Sequence, residues 1–458
     1  MQSIENESRL FGTNGVRGIF GKTLSLDMII DLVHSFGTYW EGGHIIVGSD
    51  GRKSSHILSQ VVQASLNSDG FQVDNAGHIP TPCLQYSTKK HGYAGGIMIT
   101  ASHNPPEYNG LKPIAKDGVE ISRQDELTIE KIYRDKQFKK SIKLGLTHSR
   151  EFLDSYMNAV IALVDSEKIR SRKFKIVMDL GNGVQALVAP TLCEKLGCKI
   201  IPLNGNIDGD FPGRGSEPTP ENLSQMSLIV KSAGANFGVA YDGDGDRSLF
   251  CDNEGEVKWG DRTGGLLVNY LLAEKHKKVE VVCPINTTAV VSKIVNDLGS
   301  IVRYTKVGSV EVSREMINKK ALLGLEENGG FMYGALNEVR DGAMTTALML
   351  DMLANTETTL STMYSMLPTV YQYKTKFSIS DSSKIEKIVQ ACMNHGNPTK
   401  VETLDGVKIW IDDETWIMIR PSGTEPILRM YAESNDKALL NSKVKEYTIL
   451  INELLEVN

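Results

Sequence analysis

The 458-residue sequence predicts an α/β protein of three similar mixed units followed by a different, α+β, C-terminal unit. Three observations carry that expectation. Short apolar runs of strand length end in polar loops, and glycine, at 42 residues, exceeds its ordinary share of about 7%. Such runs alternate with helical patterns three times over, leaving polar loops near residues 102, 244 and 328. From residue 369 onward the pattern changes to paired strands and one long amphipathic helix.

In the first unit, 1–150, Met28, Ile29, Leu32, Val33 and Phe36 recur at helical spacing after Ser25, a suitable cap. A buried strand is expected over 44–47 and a weaker one over 71–73. A strand over 96–100 runs straight into Ala101-Ser102-His103-Asn104-Pro105-Pro106. The second unit, 151–254, has strands over 174–179, 199–203 and 237–241, with a helix through Leu187 and Leu192 after Gly181-Asn182-Gly183. Its last strand opens into Asp242-Gly243-Asp244-Gly245-Asp246-Arg247. The third, 255–368, has strands over 279–285, 301–307 and 321–325, helices over 289–298 and 310–317, and the loop Glu326-Glu327-Asn328-Gly329-Gly330. In the fourth, 369–458, strands over 415–419 and 426–431 flank Arg420-Pro421-Ser422-Gly423-Thr424-Glu425. The closing helix there lines up Leu439, Leu440, Val444, Tyr447, Leu450, Ile451 and Leu454. The proline- and glycine-rich stretch 208–220 reads as a long surface loop within the second unit, because the alternation resumes beyond it.

Composition excludes several classes. With 50 basic and 56 acidic residues the formal charge is −6, which argues against nucleic acid as a partner. A content 41% hydrophobic and 23% charged is that of a packed globular chain. No apolar run is long enough to span a membrane, and the first thirty residues lack the profile of a secretory signal. The six cysteines, at 83, 193, 198, 251, 283 and 392, form no CxxC pair. A reduced, cytoplasmic enzyme, monomer or homodimer, is the expectation.

Asp242, Asp244 and Asp246 alternate with glycine, so three carboxylates can converge on one point, a set of hard oxygen ligands suited to Mg²⁺ or Ca²⁺. An EF-hand is excluded, since Arg247 and Asn253 stand where that loop needs glycine and glutamate. A solvated acidic turn is the plainer alternative. Ser102, at a strand-to-loop junction, is placed as a nucleophile, although most such serines merely form turns. His103 reads either as its base or as a hydrogen-bond partner, and Lys112 as a local charge, a proton carrier or a surface lysine. Arg420, Ser422, Gly423 and Thr424, with Arg429 on the next strand, combine a guanidinium, hydroxyls and an approachable backbone amide, a phosphate-binding set or a polar turn. Glu326 and Asn328 suit vicinal sugar hydroxyls, or a polar loop entering a helix.

Taken together, these groups describe phosphoryl transfer on a sugar phosphate. A phosphorylated Ser102 would add about −1.5 to −2 charge to three nearby aspartates. At about 4 kcal/mol per unit pair at 4 Å in an effective dielectric near 20, such a pocket needs a cation. Serine and aspartates therefore account for each other.

The chain resembles the α-D-phosphohexomutase superfamily, particularly phosphoglucosamine mutases and archaeal phosphomannomutases. Five motifs carry the resemblance in order: Phe11-Gly12-Thr13-Asn14-Gly15-Val16-Arg17-Gly18, the Ser102 loop, the Asp242–Arg247 loop, the Glu326–Gly330 loop and the Arg420 loop. The resemblance implies a four-domain phosphohexomutase architecture around a central cleft. It implies a phosphoserine at Ser102, one Mg²⁺ held by Asp242, Asp244, Asp246 and a Ser102 phosphate oxygen, and Arg247 beside that phosphate. Lys112 is similar to the family's proton-transfer lysine, with Arg17 its electrostatic partner. Lys306 and Gly308 resemble a further substrate-contacting loop, and Arg420, Ser422, Gly423, Thr424 and Arg429 the site of the non-reacting phosphate.

The implied reaction interconverts glucosamine 6-phosphate and glucosamine 1-phosphate through a 1,6-bisphosphate that turns around in the cleft. A hexose 1,6-bisphosphate would serve as activator. Phosphomannomutase or phosphoglucomutase activity is the near alternative. A serine phosphatase has no need of the Arg420 loop, and a non-catalytic sensor no need of Ser102. Many relatives have histidine at the position of Gly330 and serine at that of Asn328, so any role of that histidine does not transfer to this chain. The Glu-Glu-Asn-Gly-Gly form resembles the archaeal members, which tend to be broad in substrate.

Overall fold

In the computed structural model, which describes residues 9–12, 14–275, 278–379, 381, 383–422 and 427–456, each of the first three units is built on three parallel strands. His44–Ser49 lies between Gln72–His78 and Gly95–Ile99. Lys175–Asp179 lies between Lys199–Leu203 and Phe237–Tyr241. Glu280–Pro284 lies between Ile301–Thr305 and Leu323–Leu325. The central strands read as continuous apolar runs because both their faces are covered, as Ile45, Ile46 and Val47 illustrate by their complete burial.

The third parallel strand of every unit then reverses into an antiparallel neighbour: Tyr108–Ala115, Ser248–Cys251 and Phe331–Tyr333 respectively. Val16–Ile19 and Asn337–Arg340 extend the first and third sheets further. The returning strands are absent from the sequence-based expectation for physical reasons. Tyr108–Ala115 contains Asn109, Gly110, Lys112 and Pro113, residue types depleted in strands. Gly110 is needed because a Cβ there would meet the Val16 carbonyl oxygen at 2.3 Å. Phe331–Tyr333 is simply too short to carry a pattern.

Residues 208–220 do belong to the second unit, between Lys199–Leu203 and the helix Ser224–Ala233, but they are not a free surface loop. They form a strap folded back onto the first unit. Phe211 is 2% exposed, and the backbone at Gly209 leaves no room for a Cβ against Arg52 and Lys53.

The helix Gly342–Thr356, also unanticipated, is buried on nearly every side, which erases the amphipathic period that betrays a surface helix. The Asp341 side chain caps it by accepting from the Met344 amide at 2.9 Å. Tyr156 donates to the same carboxylate at 2.6 Å, and Tyr241 bonds Thr346 at 2.7 Å, so the helix ties the second unit to the third. One apolar cluster runs from Ile46 through Met178 and Phe250 to Leu348 and Leu367, across all three units.

The fourth unit is an all-antiparallel sheet in the order Tyr371–Ser378, Ile427–Ser434, Trp416–Pro421, Val407–Trp410, Lys400–Glu402. The helices Lys384–Met393 and Lys437–Glu456 pack against it around a separate core that includes Ile388, Ile417, Leu428, Tyr447 and Ile451. It meets the third unit through a small cluster of Ile285, Trp416, Met418 and Tyr431. Buried Lys408 donates there to the Ile285 carbonyl at 2.8 Å, with its ammonium 4.0 Å from the Trp416 ring centroid. All six cysteines are free and buried. Among the described residues no helix is long and apolar enough to cross a membrane.

Candidate active site

The turn after the third parallel strand occupies the same topological place in each unit, at the carboxyl end of the sheet where α/β proteins gather ligands. The first such turn carries Ser102, fully buried and in the left-handed region at φ 49°. That conformation is costly for a residue other than glycine, by about 1–3 kcal/mol, so the surroundings must impose it. They do so through a pair of residues that the sequence reading passed over. Thr100 accepts from the Ser102 amide at 2.8 Å and donates to Asp50 at 2.7 Å. Asp50 also accepts from the Arg52 Nε at 3.0 Å and from Ser55 at 2.8 Å.

Arg52, 1% exposed, spends its four remaining N–H groups on loop carbonyls. Nη1 donates to Pro105 and Tyr108, and Nη2 to Ser102 and Asn104. The Phe211 ring of the strap stacks on the guanidinium at 5.0 Å. Gly48-Ser49-Asp50-Gly51-Arg52, a polar turn after a buried strand, is the signal that marks this clamp in the sequence.

The second turn brings the aspartates to Ser102. The serine hydroxyl donates to Asp242 Oδ2 at 2.8 Å and lies 3.3 Å from His103 Nδ1. Each of Asp242, Asp244 and Asp246 offers an oxygen within 4.8 Å of the others, and all three are buried. Both glycines between them are required: a Cβ on Gly243 would meet the Ser102 carbonyl at 2.8 Å, and Gly245 has φ 76°.

Oδ2 of Asp244 accepts from Thr81 at 2.7 Å and from Lys112 at 3.2 Å. Oδ2 of Asp246 accepts from Lys112 at 3.2 Å and from Arg340 at 2.5 Å. The Oδ1 atoms of both are buried without a partner. Burial and the two neighbouring carboxylates push Asp242 well above the usual range. Asp244 goes the other way: burial opposes its ionisation, but Lys112, Thr81 and Arg340 outweigh it and hold the group low. Three buried carboxylates whose burial and mutual repulsion disfavour full ionisation, with Asp244 Oδ1 and Asp246 Oδ1 unbonded, are what a hard divalent cation fits.

Around this centre stand the remaining candidates. Arg17 donates to the Ala101 carbonyl at 3.1 Å and to Asn104 at 2.9 Å, and burial lowers it to about 10. His103 is driven well below its ordinary value by burial and by Arg247, Arg17 and Arg340, so its contact with Ser102 is that of a neutral imidazole. Burial disfavours the Lys112 ammonium, but Asp244, Asp246 and Glu120 carry it upward and it holds its proton. Arg247 is buried and bonded to Glu217 at 3.0 Å, and its Nε, which makes no hydrogen bond, lies 4.0 Å from Asp246 Oδ1.

Glu326, also buried and raised by burial, accepts from Arg340 at 3.3 Å. Asn328 accepts from the Gly330 amide at 3.3 Å. Arg340, missed in the sequence, thereby bridges the metal-type turn to the third one. A Cβ on Gly330 would lie 2.4 Å from the Arg340 Cδ, which explains the glycine at that position.

Lys306 is exposed, and Gly308, at φ 139°, precedes the helix Ser309–Lys319. Arg420 and Arg429 lie directly opposite each other on neighbouring strands, with exposed Lys376 opposite Arg429. Arg420 is bonded to Asp405 at 2.6 Å, and Asp405 also accepts from the Val307 amide at 2.9 Å. Two facing arginines repel and so favour an anion between them. Ser422 bonds the Ile427 carbonyl through its amide at 2.9 Å. Gly423 and Thr424, and Thr13 of the first motif, lie outside the described residues.

Comparison with known proteins agrees with this geometry. The four phosphoglucomutase/phosphomannomutase domain patterns match in order: alpha/beta/alpha domains I, II and III over residues 8–140, 154–255 and 259–371, and the C-terminal domain over 378–447. A phosphoglucosamine/phosphogalactosamine mutase of Sulfurisphaera tokodaii is 39% identical, covering 96% of this chain and 98% of its own. A phosphoglucomutase/phosphomannomutase of Thermococcus kodakarensis is 36% identical, covering 98% of each. The crystal structure of a phosphoglucomutase/phosphomannomutase family protein from Burkholderia thailandensis superposes with a TM-score of 0.87 at 25% identity, covering 98% of both chains.

Two expectations test the geometry. Arg52→Lys replaces a five-donor fork by an ammonium that cannot span four carbonyls, so kcat should fall about 10- to 100-fold with KM and the divalent-cation titration little changed. A loss under twofold would show that the Ser102 loop holds its shape without the clamp. Asp244→Asn should raise the divalent cation needed for half-maximal activity at least about tenfold. An unshifted titration would remove Asp244 from the ligand set.

Proposed function

The chain belongs to the phosphoglucomutase/phosphomannomutase family, and on that premise we propose that it interconverts glucosamine 6-phosphate and glucosamine 1-phosphate through a phosphorylated Ser102. The observation that carries the reading is the Ser102 hydroxyl bonded at 2.8 Å into a buried aspartate triplet in which the Oδ1 atoms of Asp244 and Asp246 accept no hydrogen bond. The relative from Sulfurisphaera tokodaii, named for two hexosamine phosphates, supports the amino sugar.

In the proposed reaction, a hydroxyl oxygen of the sugar monophosphate forms a bond to the phosphorus carried by Ser102. The Ser102 Oγ–phosphorus bond breaks, the sugar hydroxyl gives up its proton and the serine oxygen takes one up, so the step is proton-neutral overall. The resulting 1,6-bisphosphate turns around, and the reverse step returns its other phosphate to Ser102. A hexose 1,6-bisphosphate can prime unphosphorylated enzyme by the second half of the same cycle. When bound by Asp242, Asp244, Asp246 and a phosphoryl oxygen on Ser102, Mg²⁺ would offset the charge of the transferring group.

The chain's own groups do the remainder. Arg52 and Asp50 fix the serine in place. Lys112 holds a proton beside the aspartates, available as the serine oxygen leaves. Arg17 and Arg247 face the phosphoryl group, and neutral His103 orients the Ser102 hydroxyl. Arg420, Ser422, Gly423, Thr424 and Arg429 hold the phosphate that is not reacting. Glu326, Asn328, Lys306 and Gly308 hold the sugar between the two ends.

Ser102→Ala should reduce mutase turnover below about one thousandth of wild type, and wild type stopped during turnover should carry one PO₃ on the Ser102 peptide by mass spectrometry. Appreciable activity in the variant, or an unmodified peptide, would end this reading. The second reading, a phosphomannomutase or phosphoglucomutase, draws on the Thermococcus kodakarensis relative. It prevails if kcat/KM for mannose 1-phosphate or glucose 1-phosphate exceeds that for glucosamine 1-phosphate. Arg420→Ala should raise the sugar-phosphate KM about tenfold or more while leaving the cation requirement nearly unchanged, and equal shifts in both would misplace Arg420.

A further inference from the structure

Between the first and third units lies a group of buried acceptors that phosphoryl transfer does not use. The Asn14 amide donates one hydrogen to Glu120 Oε1 at 3.2 Å and the other to Ser309 Oγ at 3.1 Å. With both hydrogens committed, Asn14 Oδ1 is turned away from them. It and Glu120 Oε2 are buried with no partner, on residues 6% and 4% exposed.

Among the described residues no cation makes an ion pair with Glu120. Its nearest charges, Lys112 and Arg340, are already held by Asp244, Asp246 and Glu326. Arg314 pins the Glu120 backbone carbonyl through Nε at 2.9 Å and anchors itself on Asp117 at 2.6 Å, which fixes the backbone from which the carboxylate projects. Burial raises this acid, but Lys112 and Arg340 outweigh burial and keep it ionised.

The cluster belongs to the same cleft as the aspartate triplet. Asn14 precedes the strand Val16–Ile19 that carries Arg17. Ser309 opens the helix that follows Lys306 and Gly308. Glu120 bridges back to Ile114 on the strand that carries Lys112. Two orphaned acceptors, one of them charged, leave a deficit of donors that a donor-rich group would fill.

We propose that Asn14 and Glu120 form the subsite that reads a protonated amine on the substrate, the 2-ammonium of a hexosamine phosphate. An ammonium supplies three N–H donors and the opposite charge. A neutral hexose offers a single hydroxyl there. An N-acetylated sugar offers one N–H and sets a carbonyl against two acceptors, so it is disfavoured most. This inference rests on the mutase reading above and sharpens it to a substrate class.

The test is the ratio of kcat/KM for glucosamine 1-phosphate to that for glucose 1-phosphate, in wild type and in Glu120→Gln, which keeps the shape and removes the charge. The ratio should fall at least about tenfold in the variant. Asn14→Ala, measured the same way, should lower it by a smaller factor, and it decides the matter if Glu120→Gln does not fold. An unchanged ratio, or equal losses on both sugars, overturns the subsite and leaves the mutase reading standing. A wild type that turns over neither sugar phosphate overturns the mutase reading itself and this inference with it.

Discussion

Three carboxylates and one serine hydroxyl converge on a single buried point, and hydrogen bonds reach only one oxygen of Asp244 and of Asp246. Lys112, Thr81 and Arg340 bind their Oδ2 atoms, while the Oδ1 atoms accept no hydrogen bond, that of Asp246 lying 4.0 Å from the Arg247 Nε. Each of these two carboxylates is therefore held rigidly by one oxygen and left available through the other. Such an arrangement stores electrostatic repulsion, of order 4 kcal/mol per pair of unit charges at 4 Å in an effective dielectric near 20. It is relieved by a proton on Asp242 or by a divalent cation. Proton and cation compete for the same oxygens, so the site is poised by construction to exchange one for the other.

The rest of the fold serves that convergence by repetition. One turn, between a third parallel strand and its antiparallel return, delivers the serine, the aspartates and the Glu326 loop from three successive units. This is why so much of the site was legible in the sequence: an apolar strand running into a polar, glycine-containing loop stays visible however far the copies diverge. What stayed hidden acts at a distance along the chain. Arg52 and Asp50 lie about fifty positions before Ser102, and Arg340 sits 94 residues beyond Asp246. Nothing local distinguishes an arginine that grips four carbonyls from one at a surface. The helix Gly342–Thr356 was hidden for the opposite reason, since full burial removes the polar face that gives a helix its period.

The fourth unit stands in a different relation to the others. The first three share one apolar cluster, whose disruption would cost many buried side chains at about 1.5–3 kcal/mol each. The fourth has its own core and meets the third through four clustered apolar residues and a set of polar ties. Asp405 links Arg420 to the Val307 amide, Lys374 is paired with Glu327, and Glu433 accepts from the Ala289 amide at 2.8 Å. Polar ties can be exchanged for water at little net cost, whereas a shared apolar core cannot. A substrate that turns around needs one wall that yields among walls that do not, and the attachments separate the fourth unit from the first three in that way.

The glycine at position 330 is best understood through its neighbour. At this position the chain has no side chain, and the Arg340 stem fills the space to within 2.4 Å of where a Cβ would be. From there Arg340 reaches Asp246 and Glu326 together, joining the cation-binding turn to the sugar-facing turn by a permanently charged, rigid group. A guanidinium cannot lose its proton near pH 7, so this tie keeps a fixed positive charge between the two turns. Arg340 offsets only part of the burial that raises Glu326, and it also lowers Glu120, which among the described residues makes no ion pair of its own.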